Sequence, residues 1–260
     1  KRYNKNIKKN EFFLKKMTKK LIVRIAEGLG NQLFMYANAY TISKKYNSEL
    51  LIDNTSGYFK TKNKIRNYEL DKFLISNNIA DKDLKFDTYS KDIIRKFKKR
   101  LDSFCKIRKF LIENKDLNKK TSFNNIDLKN FSNTVFIEGH YESEKYFIEY
   151  KKEIIQLFKI KKHLIEKNNK YYNDINNSNS VSICIRQNRY SEGKKKDYQK
   201  STQFTKDTID YIYKSIDYIK KNIEKPKFFI WSNDLSNLHN YFDQKDYIFI
   251  DNKINKSLND

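Results

Sequence analysis

Apolar residues along this chain fall into short continuous runs and into stripes at helical spacing, and the two kinds alternate. Leu21 to Ala26 is a run broken only by Arg24, followed by Glu27-Gly28-Leu29-Gly30-Asn31 and then by helical spacing from Gln32 to about Tyr46. Leu33, Met35, Tyr36, Ala37 and Tyr40 give that predicted helix a broad apolar face, and Asn31 stands where an N-cap side chain accepts a backbone N–H. Glu49 to Asp53 reads as a second strand ending in a carboxylate. The opening unit is therefore β-α-β, which dictates a parallel sheet and a right-handed crossover.

The middle, from Thr55 to about Asn133, is rich in Lys and Asn and holds one clear amphipathic stretch, with Ile94, Phe97, Leu101 and Phe104 at helical spacing. A basic helix of this kind can lie on a membrane, but the commoner use of such a stripe is as a core face with its lysines in solvent, and that is the expectation here. Thr134 to Glu138 reads as a strand ending in Gly139-His140-Tyr141, and Ser143 to Phe158 as a helix carrying Tyr146, Tyr150, Ile154 and Leu157. The polar segment Lys167 to Ser180 is the best linker candidate. After it the alternation restarts, with Val181 to Ile185 as a strand and Ile209, Ile212, Ile216, Ile219 and Ile223 as the stripe of the clearest helix, stopped by Pro226. Lys227 to Trp231, a helix near Leu235 to Phe242, and Tyr247 to Ile250 continue it. The pattern predicts an α/β protein of two β/α domains facing one another across a cleft, 18–170 and 178–260.

Composition narrows the class. With 38% hydrophobic and 15% aromatic residues in 260 positions, the chain has material for a substantial core and is not a mainly disordered protein. Cys105 and Cys184 lack metal-ligand or disulfide-framework spacing, which points to a reducing compartment and no structural metal. No window approaches the roughly 18 apolar residues of a membrane-spanning helix. The net charge of +23 fits nucleic acid or an acidic membrane surface, and it also fits a coding bias that enriches Lys, Asn and Ile together. The bias is the preferred reading, with weak peripheral membrane adsorption compatible with it and no specific nucleic acid expected. The chain opens on Lys1, with Met17 just ahead of the first regular element, and stops at Asp260 after a strand-like segment, so a fragment is expected.

Three segments could carry chemistry. Gly28 and Gly30 lie between a strand and a helix, where backbone N–H groups of Gly30, Asn31 and Gln32 can approach a phosphate. The same glycines with Asp53 suggest a dinucleotide turn, against which Leu33 occupies the third-glycine position. A tight turn with no ligand explains them as well. In the second segment Arg186 leaves the carboxyl end of an apolar strand, with Tyr190 four residues on. An arginine there can grip a diphosphate, or simply be ion-paired at the surface. Third, Ser232, Asn233 and Asp234 leave the next strand, able to bind a purine edge or ribose, or to cap the following helix. His140 by itself reads as structural.

Taken in order, these segments resemble the α-1,2-fucosyltransferases of glycosyltransferase family eleven. Glu27-Gly28-Leu29-Gly30-Asn31-Gln32-Leu33-Phe34 is similar to the amino-terminal GLGNQLF signature, Gly139 to Phe147 to the G-Y-F-Q-S-E-x-Y-F segment, and Phe229 to Asp234 to the F-S-D-D motif. The Arg186 segment is similar to the donor motif H-x-R-R-x-D-Y, with Arg186 and Tyr190 matching and with Cys184, Gln187 and Arg189 departing at its His, second Arg and Asp. The family's next motif, rich in Ser and Trp, is missing. The resemblance implies a GT-B-like fold with an acceptor domain first and a nucleotide-sugar domain second, the latter incomplete. It implies inverting transfer from GDP-fucose to a galactoside in a surface glycan, in the cytoplasm or at the inner face of the membrane, with no metal and no cofactor beyond the donor. Arg186 and the amides around Gly30 and Asn31 would stabilise the leaving diphosphate, and Gln32, Tyr190, Ser232, Asn233 and Asp234 would complete donor binding. The general base stays open among Glu27, Asp53, His140 and Glu142. A different donor on the same fold and a basic nucleic-acid-binding protein are the alternatives.

Overall fold

A computed structural model describes residues 18–60, 66–113, 127–164, 170–191 and 196–250. Met17 and the chain ends lie outside the described residues. The chain divides into two compact units, one up to residue 165 and one from residue 166.

In the first unit β1 (Lys20–Arg24), α1 (Leu29–Lys45) and β2 (Glu49–Asp53) form the expected β-α-β unit, followed by α2 (Tyr89–Asp102), β3 (Arg108–Ile112), β4 (Phe131–Glu138) and α3 (Lys151–Leu157). The sheet order is β2-β1-β4-β3 and every pairing is parallel. β1 is central, and Leu21, Ile22 and Val23 are almost fully buried, because a parallel strand covered on both faces needs a continuous apolar run. Leu21, Val23 and Ile25 join Met35, Tyr36, Ala39 and Ile42 of α1 in one core, while Ile22 packs with Leu51 and Ala80 in a second, smaller cluster. α1 ends because Asn47 adopts a left-handed conformation, φ 45°, so that the N–H groups of Asn47 and Ser48 reach back to the carbonyls of Lys44 and Ser43.

The second unit contains α4 (Lys170–Asn176), β5 (Ser180–Ile185), α5 (Tyr198–Asn222), β6 (Lys227–Ser232) and β7 (Tyr247–Phe249), with a parallel sheet in the order β5-β6-β7. The Asp197 carboxylate caps α5 by accepting from Lys200 N at 2.9 Å. Ile209, Ile212 and Ile216 of α5 close a core over Ile183, Ile185, Phe228 and Ile230. The fold is α/β throughout.

Several expectations are corrected. Asn31 is inside α1, whose N-cap is Gly28. Ser143 to Phe158 is two short 3₁₀ turns and then α3, since the Phe147 backbone, at φ −141°, interrupts a continuous helix. The polar segment from 167 to 180 holds α4 where a linker was expected. Leu235 to Phe242 yields one 3₁₀ turn, Leu238–Asn240, because Asn237 is left-handed at φ 65°.

The largest correction concerns α2. Its apolar stripe, expected in the core, faces outward: Ile94, Phe97, Leu101 and Phe104 are between 46% and 85% exposed, while Asp92, Arg95 and Asp102 are buried. The physical reason is the surface beneath it. Arg95 makes a two-point pair with Glu138 at the end of β4, both contacts 2.7 Å, and bonds Asp92 at 2.7 and 3.0 Å. Lys99 adds a 2.6 Å contact to Glu138, and the Asp102 carboxylate accepts from Lys109 N and Phe110 N at 2.6 and 3.1 Å. α2 is thus fastened by charge-assisted hydrogen bonds and not by apolar burial.

Candidate functional site

In the first unit the carboxyl ends of β1 and β4, paired in register as Val23 to Ile137, bring the Glu27–Gly30 turn and the Gly139–Tyr141 turn to neighbouring positions. Glu27 is left-handed at φ 65° and pairs with Arg66, and its carbonyl accepts from Gln32 Nε2 at 3.1 Å. Gln32 is fully buried: Nε2 also donates to Asn67 O at 2.8 Å, and Oε1 accepts from Glu69 N at 3.0 Å. Its amide therefore pins a loop to the glycine turn and has no face toward a ligand.

Gly28 and Gly30 behave differently. A Cβ added to either would meet nothing within 4 Å, so neither is demanded by packing, and open space lies before the first turn of α1. The early N–H groups of a helix lack intrahelical acceptors, and no side chain caps them here. Packing does demand glycine at residue 57, where a Cβ would stand 2.1 Å from the Ile25 carbonyl oxygen.

The four base candidates separate. Asp53 is buried, and its Oδ1 accepts from Thr55 N and Ser56 N at 3.2 and 3.0 Å, so it shapes the turn after β2. His140 is half-buried and its backbone N–H donates to Glu113 at 2.8 Å; Tyr141 N donates to the other oxygen at 3.1 Å. Glu113, which no sequence pattern singled out, is thus the clamp on the strand end. Glu142 is exposed, and Glu27 is half-buried and paired.

A depression of about 480 Å³ at the end of β2, unforeseen from sequence, is lined by Asn54, Tyr58, Phe59, Arg66, Tyr68 and Asp87 among others. It borders the glycine turn, since Tyr58 Oη donates to Glu27 O at 3.4 Å and Arg66 pairs with Glu27. Burial, reinforced by nearby carboxylates, pushes the Tyr58 and Tyr68 hydroxyls well above the ordinary tyrosine value, so both stay neutral hydrogen-bonding groups.

In the second unit the loops leaving β5 and β6 are fastened together. Asn233 Oδ1 accepts from Gln187 N at 2.8 Å and its Nδ2 donates to Gln187 O at 3.1 Å, while Gln187 Nε2 donates to the carbonyls of Asp234 and Ser236 at 2.6 and 3.1 Å. Ser232 Oγ donates to Asp234 O at 2.6 Å, and Asp234 Oδ1 accepts from Ser236 N at 2.9 Å. Asn233 and Gln187 are therefore loop fasteners. Arg186 is exposed at the strand end, and the same loop carries Arg189 with its guanidinium 5.1 Å above Phe204 and 5.9 Å above Tyr190. Lys200 stands 4.4 Å over the Tyr190 ring, so two cations hold this aromatic pair. Sequence spacing gave no hint of Phe204 or Lys200. Among the described residues no group of three or more His, Cys, Asp or Glu is placed to hold a metal ion.

No protein-family model matches the chain. It is 29% identical over 223 residues to an α-1,2-colitosyltransferase of Escherichia coli, a match covering 83% of this chain and 69% of that protein. Among solved structures it is similar to fucosyltransferase NodZ from Bradyrhizobium, with a TM-score of 0.51 at 13% identity over 90% of this chain and 78% of that one. A NodZ α-1,6-fucosyltransferase crystal soaked with GDP-fucose matches with the same score and identity over 91% and 79%. At these identities the two structures speak for the GT-B-like α/β fold alone. The chain is a glycosyltransferase, similar in sequence to that colitosyltransferase and in fold to NodZ.

Proposed function

We propose that this chain transfers fucose from GDP-fucose to a galactoside hydroxyl, in an inverting, metal-independent reaction of surface-glycan synthesis in the cytoplasm. The acceptor oxygen bonds to the anomeric carbon as the bond from that carbon to the diphosphate oxygen breaks. The hydroxyl proton passes to a base, and GDP leaves. Without a divalent cation, protein groups must meet the charge on the departing diphosphate.

The observation that carries this reading is the fastened pair of loops at the ends of β5 and β6, which presents Arg186 and Arg189 from one strand end in a chain related to a colitosyltransferase. Gln187 stands where the resemblance calls for a second arginine and is occupied in fastening the loops, so Arg189 is the cation left to act beside Arg186. In this reading the first unit takes the acceptor and the second the donor, with Tyr190, Ser232 and Asp234 shaping the nucleotide side. Glu27, His140 and Glu142 remain as base candidates once Asp53 is set aside.

Calorimetric titration with a chelator present tests this. GDP and GDP-fucose should bind, and Arg186→Ala should weaken both by about ten- to a hundredfold, as loss of a charge-assisted contact does. Arg189→Ala should weaken them by a smaller factor. Absence of GDP binding in the folded chain overturns the reading. A second reading, another deoxyhexose on the same nucleotide, is favoured by the changed donor loop at Cys184, Gln187 and Arg189 and by the colitosyl relative. Preference for another sugar in a panel of GDP-linked donors would select it.

A further inference from the structure

Among the described residues, the outward face of α2 is a large apolar surface that the transfer reaction does not use. Ile93, Ile94, Phe97 and Leu101 lie on one side of the helix, and Phe104 and Ile107 extend the patch through the turn that follows; all six are exposed, Phe104 to 85%. A contiguous patch of this kind on a protein surface marks something that covers it.

Charge identifies the cover. From residue 89 to residue 109 the acidic residues are Asp92 and Asp102, and both are buried and bonded inward, to Arg95 and to the backbone of Lys109 and Phe110. The exposed side of the segment therefore carries Lys98, Arg100 and Lys106 beside the apolar stripe and no carboxylate at all. A second copy of the chain docking face to face would bring these cations against their own copies, on a protein whose formal net charge is already +23. An anionic bilayer accepts both halves of the pattern: apolar side chains enter the acyl boundary, and long basic side chains reach back to acidic headgroups.

We propose that α2 and the turn after it are a docking surface for anionic phospholipid membrane, with the helix lying in the interface plane. The buried Arg95–Glu138–Asp92 network is what makes this arrangement stable, because it fixes the polar face of α2 to the sheet and leaves the apolar face outward. Phe97, Leu101 and Phe104 supply insertion, and Lys98 and Arg100 supply attraction.

Flotation of the full chain with phosphatidylcholine vesicles, with and without phosphatidylglycerol, tests the proposal. The chain should float with the anionic vesicles, and added salt should weaken the association. The combined variant Phe97→Ser, Leu101→Ser, Phe104→Ser should lose at least about tenfold in vesicle partition, and Lys98→Glu with Arg100→Glu on the order of tenfold. Both should keep the parent's far-ultraviolet circular dichroism and unfolding midpoint, since these side chains are exposed. Equal partition of parent and triple variant overturns the proposal, as does equal binding to neutral vesicles. A dimer of the parent that the triple variant disperses overturns it in favour of self-association, and oligonucleotide binding abolished by the triple variant overturns it in favour of nucleic acid.

Discussion

α2 and α5 have the same kind of sequence pattern and opposite orientations. In α5 the stripe Ile209, Ile212, Ile216 turns inward onto Ile183, Ile185, Phe228 and Ile230. In α2 an equally regular stripe turns outward, and the helix meets the protein through Asp92, Arg95 and Asp102. Periodicity identifies the two faces of a helix, but the neighbouring surface decides which is buried. α5 lies over strands whose facing residues are apolar. α2 lies over a strand end that presents Glu138 and beside the edge strand β3, whose N–H groups at Lys109 and Phe110 need an acceptor. A buried carboxylate without a cation is costly enough to turn the helix over.

The sharpest way to break this contrast is Arg95→Met, which keeps much of the side-chain volume and removes the cation. Glu138 and Asp92 would then be buried without their principal partner, and the expected loss is about 3 kcal/mol, read from urea unfolding. The pH dependence supplies a second readout. Burial alone would raise the Asp92 and Glu138 pKa values, but hydrogen bonds from Lys60 and Arg95 to Asp92, and from Lys99 and Arg95 to Glu138, hold both below the ordinary carboxylate value. Groups depressed in the folded state stabilise fully above their unfolded pKa, and this contribution drains away as pH falls through the folded value. Stability of the parent should therefore drop on acidification below the ordinary carboxylate range, and the variant should show a flatter acid arm. A parent with no acid dependence would refute the network as the anchor of α2.

On the α5 side the corresponding change is Ile216→Ala, with an expected loss of about 2 to 3 kcal/mol from transfer and cavity together. Thermal unfolding followed by circular dichroism measures it. A loss under about 0.5 kcal/mol would mean that the α5 stripe is not holding its unit together and that the contrast with α2 is false.

Much of the fold was legible in the sequence because strands covered on both faces are continuous apolar runs: β1, β2, β4 and β6 stand where such runs predict, while β5 is an alternating strand with Ser182 and Cys184 exposed. β3 was hidden because Arg108 and Lys109 begin it, and α4 because an Asn-rich segment reads as linker. Of the candidate site, Arg186 at a strand end was visible from the pattern that precedes it. The uses of Gln32 and Asn233 were not, since a motif preserves residue types without saying whether the amide faces a ligand or the backbone. Glu113, Phe204 and Lys200 were illegible because their partners are distant in sequence, and nothing local marks a contact of that kind.

The smallest expected effect is the most discriminating. Phe97 occupies the centre of a helical apolar stripe, and by pattern alone Phe97→Ser should cost as much as emptying a core position, about 3 to 5 kcal/mol for a large aromatic. Its side chain is 63% exposed, however, and the helix is held from its other face, so little apolar contact exists to lose. Replacing an exposed aromatic by serine also changes helix propensity by very little. The expected change in unfolding free energy is within about 0.5 kcal/mol, measured by urea denaturation beside Ile216→Ala under the same conditions. A small value for Phe97→Ser with a large one for Ile216→Ala establishes that the two stripes face opposite ways. Comparable losses at both positions would place Phe97 in a core and withdraw the surface on which membrane docking depends.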